Sequence, residues 1–266
     1  MYAETSLPLD ADTLAPLRWE APPAEPRLGP AEVHVWRAEL DRPPAELQAL
    51  RTILAPQETE RATRFVFDRD RDRFVCARGI LRSILSRYLG VPPSALVLAY
   101  GPNGKPHLPA ESGADGLRFN VSHSGALAVF ALARGIEVGI DIERVDRQVE
   151  GGAIASSYFA PSEASAIEEL QGDARAHAFF DIWTRKEALL KAWGEGMATD
   201  LRGFEAPLGR DGMVPSPVPG GRACHLRGLA PAPGYAGALA VEGDAVAEVR
   251  CFQFHVAACE ALQGRP

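Results

Sequence analysis

Long apolar runs are missing from this chain. No stretch approaches the roughly 20 consecutive apolar residues that a helix needs to cross a bilayer, so no membrane association is expected. The N-terminus lacks a basic segment followed by an apolar one, so no secretory signal is expected either. Cysteine is scarce: Cys76, Cys224, Cys251 and Cys259 are scattered, form no CxxC pair, and have no histidine at zinc-finger spacing. That pattern reads as a reduced, cytoplasmic protein with buried thiols. Excess positive charge is absent as well. Lys and Arg number 28 against 35 Asp and Glu, for a net charge of −7. A protein gripping long nucleic acid by its phosphates is normally basic, and no aromatic-basic recognition pattern stands in for that charge.

What the chain does have is length and apolar content. Its 266 residues are 46% hydrophobic, enough for a large core in one domain or two packed halves. Residues 7–30 are Pro-rich and acidic, an extended or mobile lead-in. One early stretch is crowded with arginine: Arg61, Arg64, Arg69, Arg71, Arg73, Arg78, Arg82 and Arg87. Glu58, Glu60, Asp68, Asp70 and Asp72 are interleaved, so the cluster suits either solvated helix faces or a site for a small anion.

Residues 33–36 alternate as a strand does. Helices are expected over 45–54, from Pro56 past Arg64, and over 73–89, the last closed by Gly90 with Pro92-Pro93 beyond. Short strands flank Asn103-Gly104. Residues 117–133 read as strand, turn and strand with Ser124-Gly125 at the bend, and 138–145 as another strand. Helices follow over 163–170 and 174–193, and 236–257 reads as an antiparallel pair around Gly243-Asp244. Leu54-Ala55-Pro56-Gln57-Glu58 resembles Phe159-Ala160-Pro161-Ser162-Glu163, and each leads into a polar helix and then a longer apolar one. This order suggests an internal duplication with a groove between two similar halves.

Four short segments carry possible chemistry. In Val138-Gly139-Ile140-Asp141-Ile142-Glu143, strand alternation puts both carboxylates on one face, where they can share a hard cation or simply meet water. Glu187 and Lys191 lie four apart on one helix face, as a surface ion pair or as a metal ligand beside a phosphate-binding lysine. Phe119-Asn120-Val121-Ser122-His123-Ser124-Gly125 runs into a turn that can present polar groups to an anion. Ser122 and His123 are poor partners for a nucleophile pair, because adjacent strand residues face opposite ways. Gly104-Lys105-Pro106 projects a lysine from a turn.

The order of these segments resembles the Sfp-type 4′-phosphopantetheinyl transferases, over roughly residues 33–256. The resemblance rests on Gly104-Lys105-Pro106, Phe119-Asn120-Val121-Ser122-His123-Ser124, Gly139-Ile140-Asp141-Ile142-Glu143 and Trp183-Thr184-Arg185-Lys186-Glu187-Ala188-Leu189-Leu190-Lys191. It implies an α+β fold of two similar, pseudo-twofold-related halves with a coenzyme A groove between them. The expected division is a lead-in over 1–30, an N-terminal half over 31–135 and a C-terminal half over 136–260.

The implied reaction moves the 4′-phosphopantetheine group of coenzyme A to a serine of an acyl or peptidyl carrier protein. It needs Mg²⁺ and releases adenosine 3′,5′-bisphosphate. By resemblance Asp141, Glu143 and Glu187 hold Mg²⁺, Lys191 holds a diphosphate oxygen, and Glu187 or a water on the metal takes the serine proton. Asp141, Glu187 and Lys191 are thus the expected catalytic set. His123, with Asn120 and Ser122, meets the coenzyme nucleotide, joined by Lys105, Arg78 and Arg61. Glu58 departs from the pattern, standing where some members carry a lysine for the 3′-phosphate. Arg144 and Arg147, with Ile154, Tyr158 and Phe159, suit a basic rim and apolar patch for the carrier. Carriers of fatty-acid, polyketide, nonribosomal-peptide or lysine-pathway machinery all fit. One chain supplies the whole groove, so a monomer is expected. The rival reading is an Mg²⁺-dependent hydrolase of nucleotides or phosphoesters, built on the same carboxylates.

Overall fold

The computed structural model describes residues 18–101, 104–114, 116–149, 151–194, 199–243 and 248–255. Asn103 and Asp244, singled out above as turn residues, lie outside them, as do Gly196 and Cys259. The order of elements is β1 (Trp19–Glu20), β2 (Glu32–Glu39), α1 (Pro44–Thr52), α2 (Pro56–Ala62), α3 (Asp68–Leu89), β3 (Ala99–Tyr100), β4 (Pro106–His107), β5 (Leu117–Ser124), β6 (Leu127–Arg134) and β7 (Val138–Arg144). There follow α4 (Gly151–Tyr158), α5 (Pro161–Glu168), α6 (Gly172–Trp193), β8 (Gly212–Val214), β9 (Cys224–Leu229), β10 (Tyr235–Glu242) and β11 (Glu248–Gln253). The fold is α+β, as the sequence implied.

One mixed sheet has the order β1-β11-β2-β6-β5, and an antiparallel sheet has the order β7-β10-β9-β8. Strand alternation divides β2 between two cores. Trp36 and Ala38 pack with Leu50 of α1 and Ile80, Leu81 and Ile84 of α3. Val33 and Val35 face the other way, against Val129, Ile140, Ile142 and Leu239. The far side of the second sheet, through Leu226, Ala238 and Ala240, is covered by Ala188, Leu189 and Ala192 of α6. The layers therefore run helix, sheet, sheet, helix, with β5 and β7 at the facing edges of the two sheets.

Several sequence expectations are corrected. The expected antiparallel pair over 236–257 does not form: β10 lies between β7 and β9, while β11 runs parallel to β2 in the other sheet. Alternation tells a strand which face is buried but not which edge it joins. Helix α2 stops at Ala62 and α3 starts at Asp68, five residues ahead of the expected Arg73. A glycine pair, Gly151 and Gly152, opens helix α4 where the sequence reading placed no helix. It is carried by packing, because Ala155 is buried beside Phe159, Phe179 and Phe180. Of the lead-in, Trp19–Glu20 is an edge strand on β11, with the Arg37 guanidinium 4.5 Å from the Trp19 ring. The described cysteines are free and buried, and burial pushes the Cys76 and Cys224 thiols up to about 12. Among the described residues, no helix is long and apolar enough to cross a membrane.

Candidate active site

The site grows from one close approach. Residues 139, 141 and 143 face away from the inter-sheet core, and the backbone of Gly139 lies directly against α6. A β-carbon at Gly139 would stand 2.5 Å from the Ala192 nitrogen and would overlap the Ala188 carbonyl oxygen. Glycine is thus required by space, and small residues on the helix, Ala188 and Ala192, complete the contact. Helix α6 therefore crosses β7 closely enough for the Lys191 ammonium to donate to Asp141 Oδ1 at 2.6 Å and to the Ile140 carbonyl at 3.1 Å.

On its other edge, β7 meets β5 through side chains. The amides of Ile140, Ile142 and Arg144 donate to Asn120 Oδ1 (2.8 Å), Ser122 Oγ (3.3 Å) and Ser124 Oγ (3.0 Å). The serines pass their own protons on, Ser122 to Asp141 Oδ1 at 2.7 Å and Ser124 to Glu143 Oε2 at 2.6 Å. Asn120 and Ser122, expected at the coenzyme nucleotide, are both buried in this seam.

Glu143 and Glu187 are both held above the usual carboxylate range. For Glu143 burial is the main cause, with Asp141 adding to it against Ser124 and Lys191. For Glu187 burial again leads, then Asp141, with Glu143 adding and Lys191 opposing. Glu187 thus senses both other acids and Glu143 senses Asp141, so one negative field spans β7 and α6. Among the described residues, no three His, Cys, Asp or Glu side chains are grouped as a ready-made metal cage. The donor set nevertheless fits Mg²⁺. It is made of hard carboxylate oxygens, and Asp141 Oδ2 is buried without a hydrogen-bond partner, an acceptor that costs stability unless something occupies it.

His123, between the two seam serines, points the opposite way and is exposed. Although the residue reaches solvent, partial burial of the ring is the first cause of its lowered imidazole pKa, then Lys191 and Arg78, against Asp141. Lys105 donates to the Lys191 carbonyl at 2.7 Å, near the end of α6. Arg61 and Arg78 converge on the Phe74 ring, at 5.3 and 5.7 Å, and Arg78 also lies 5.5 Å from the Tyr100 ring. Beside them is a cavity of about 590 Å³ lined by Glu58, Arg61, Arg64, Phe65 and Tyr100.

Glu58 does not stand in that cavity as a bare negative charge. It is 4% exposed, and its Oε2 accepts from Arg82 Nε at 2.6 Å and from the Ala55 amide at 3.0 Å. Arg82 is accordingly internal, neither a coenzyme ligand nor a surface residue; it also donates to the Pro93 and Leu96 carbonyls, both at 2.9 Å. Of the expected carrier patch, Phe159 is fully buried and Arg147 pairs with Asp173 at 2.9 Å, while Tyr158 remains 57% exposed.

The sequence reading gave no role to Gly139, Ser124 or Lys186. Lys186 is fully buried and donates to Glu163 Oε2 and to the Leu201 carbonyl, both at 2.8 Å, and to the Phe204 carbonyl. Its signal was available: a lysine between Arg185 and Glu187, in step with the apolar face of the helix.

Comparison with known proteins identifies the family. Residues 137–215 match the family described as the 4′-phosphopantetheinyl transferase superfamily, and residues 38–134 match the N-terminal region of 4′-phosphopantetheinyl transferases. The 4′-phosphopantetheinyl transferase HetI of Nostoc is 41% identical over 180 residues, 68% of this chain and 76% of that protein. The 4′-phosphopantetheinyl transferase Sfp of Bacillus subtilis is 28% identical over 199 residues, 74% of this chain and 86% of its own. Human L-aminoadipate-semialdehyde dehydrogenase-phosphopantetheinyl transferase is 31% identical over 170 residues, 61% of this chain and 55% of its own. The chain is an enzyme of the transferase class. It belongs to the Sfp-type 4′-phosphopantetheinyl transferase family.

Proposed function

We propose that this enzyme transfers the 4′-phosphopantetheine group of coenzyme A to a serine hydroxyl of an acyl or peptidyl carrier protein, in an Mg²⁺-dependent reaction releasing adenosine 3′,5′-bisphosphate. The observation that carries the reading is the Asp141–Lys191 pair at 2.6 Å, on a strand and a helix in backbone contact, with Asp141 and Glu143 both raising the Glu187 pKa.

The halves, 31–135 and 136–260, are related by a pseudo-twofold, and coenzyme A lies in the groove between them. A repeated clamp supports this. In each half a glutamate three residues into a Pro-initiated helix, Glu58 or Glu163, reaches back to the backbone amide of an alanine. Each pairs with a buried cation on a 22-residue helix, Arg82 on α3 or Lys186 on α6. Both cations then donate to two carbonyls of the segment following that helix.

Asp141, Glu143 and Glu187 hold the Mg²⁺, which when bound neutralises diphosphate charge and polarises the attacked phosphate. Glu187, or a water beside it, takes the serine proton. Lys191 holds a diphosphate oxygen and stabilises charge that grows in the transition state. His123, Lys105, Arg78 and Arg61 bind the nucleotide end, with Asn120 and Ser122 behind His123. The cavity beside Arg61 suits the 3′-phosphate, because Arg82 neutralises Glu58. Arg144, Tyr158 and Ile154 border the carrier. The enzyme acts as a cytoplasmic monomer.

Mass spectrometry of an apo carrier protein incubated with the enzyme, coenzyme A and Mg²⁺ tests the reading. A gain of one phosphopantetheine on the carrier serine, lost with chelator, is expected. Coenzyme A consumption without carrier would instead support the hydrolase reading.

A further inference from the structure

Two hydroxyls in the seam between β5 and β7 repeat one arrangement two residues apart. Ser122 Oγ accepts the Ile142 amide and donates to Asp141 Oδ1; Ser124 Oγ accepts the Arg144 amide and donates to Glu143 Oε2. At the third position, Asn120 accepts the Ile140 amide. The β7 residue before it is Gly139, which has no side chain to hold. A serine hydroxyl has a single proton. With a backbone N–H directed at its oxygen, that proton is left for the carboxylate, so the backbone of β7 fixes the direction of each hydroxyl.

We propose that Ser124 is a positioning residue for the metal-binding carboxylates: its hydroxyl pins Glu143 so that one carboxylate oxygen stays available to the cation, as Ser122 does for Asp141. This rests on the assignment of Asp141 and Glu143 to Mg²⁺ above. The free oxygen is visible at Asp141, whose Oδ2 is buried and unpartnered. Ser124 matters more than Ser122. Asp141 has a second anchor in Lys191, at 2.6 Å, whereas Ser124 is the one hydrogen-bond partner of the Glu143 carboxylate among the described residues. Glutamate also has one more rotatable bond to fix than aspartate. Partners that orient metal ligands in this way typically change metal affinity about 10- to 100-fold when removed.

The test is calorimetric titration of Mg²⁺ into the full-length enzyme loaded with coenzyme A, with thermal melting and the coenzyme KM at saturating Mg²⁺ measured in parallel. Ser124→Ala is expected to weaken Mg²⁺ about 10- to 100-fold while leaving that KM unchanged. Ser124→Thr, which keeps the hydroxyl, is expected to restore the affinity. Ser124→Cys, which keeps the size but is a poor donor, is expected to follow Ala and serves if Ala does not fold. A lowered melting temperature with unchanged Mg²⁺ affinity would make Ser124 a stitch between sheets and overturn the proposal. Glu143→Gln separates the two layers of inference. If it weakens Mg²⁺ and neither Ser124→Ala nor Ser124→Cys does, positioning alone fails; if it has no effect, the metal assignment fails and the positioning role with it.

Discussion

Gly139→Ala adds one methyl group at the tightest point of the site, and the structure fixes what that methyl meets. The added carbon would lie 2.5 Å from the Ala192 nitrogen and 3.0 Å from the Ala188 carbonyl carbon, and would overlap the Ala188 oxygen. These are backbone atoms of a helix and cannot rotate away. Helix α6 cannot simply lift off either, since Arg185 and Lys186 are fully buried and bonded to the chain that follows the helix. Strand β7 is held by β10 on one edge and by Asn120, Ser122 and Ser124 on the other. Relief therefore requires the helix and strand to part by about 1 Å, at a cost of about 1–3 kcal/mol for overpacking. The same 1 Å stretches the 2.6 Å contact between Lys191 and Asp141 past hydrogen-bonding range and moves Glu187 with it. Displacement of this size costs about 100-fold in rate. Denaturant titration and the kcat for carrier modification measure both effects. Wild-type kcat together with wild-type stability would refute the idea that this contact sets the distance between the carboxylates and Lys191.

Three further outcomes are expected. Glu58→Lys, which installs the lysine that the family resemblance implies at this position, should not tighten coenzyme A. It places a cation against Arg82 in a buried site and removes its partner, so a loss of roughly 3–5 kcal/mol in urea unfolding is expected. His34 is buried between Glu32 at 2.9 Å and the Tyr88 hydroxyl at 2.6 Å, and burial first of all holds its imidazole pKa below the usual value, against Glu32. The unfolded chain then binds more protons below about pH 6.5. The stabilisation is complete above that pH and is lost as pH falls toward the depressed folded value. The thermal midpoint should drop through that window, and His34→Gln should flatten the drop. His123→Ala should weaken coenzyme A more than its analogue lacking the 3′-phosphate, and an equal loss for both ligands would remove His123 from that end.

Much of the chemistry was legible along the chain because it is local. Alternation alone placed Asp141 and Glu143 together, opposite Val138, Ile140 and Ile142, and the structure keeps that division. A helical step placed Glu187 and Lys191 on one face, and the glycines after Leu89 and Trp193 ended both long helices in left-handed caps. The resemblance carried by four short motifs gave the family.

What the chain could not reveal is contact between residues far apart in it. Glu58 looked like a charge opposing a phosphate until its partner Arg82 was found 24 residues away. Ser124 looked like part of a turn, yet its hydroxyl holds both the Glu143 carboxylate and the Arg144 amide on the edge strand of the other sheet. Strand β11 follows β10 in sequence but pairs with β2, more than 200 residues earlier. Local pattern determined which faces are buried and which residues are charged, because these depend on spacing along one element. The tertiary structure alone decided which edges pair, how closely α6 approaches β7 and which buried charges neutralise one another, because these depend on distances that sequence separation does not encode.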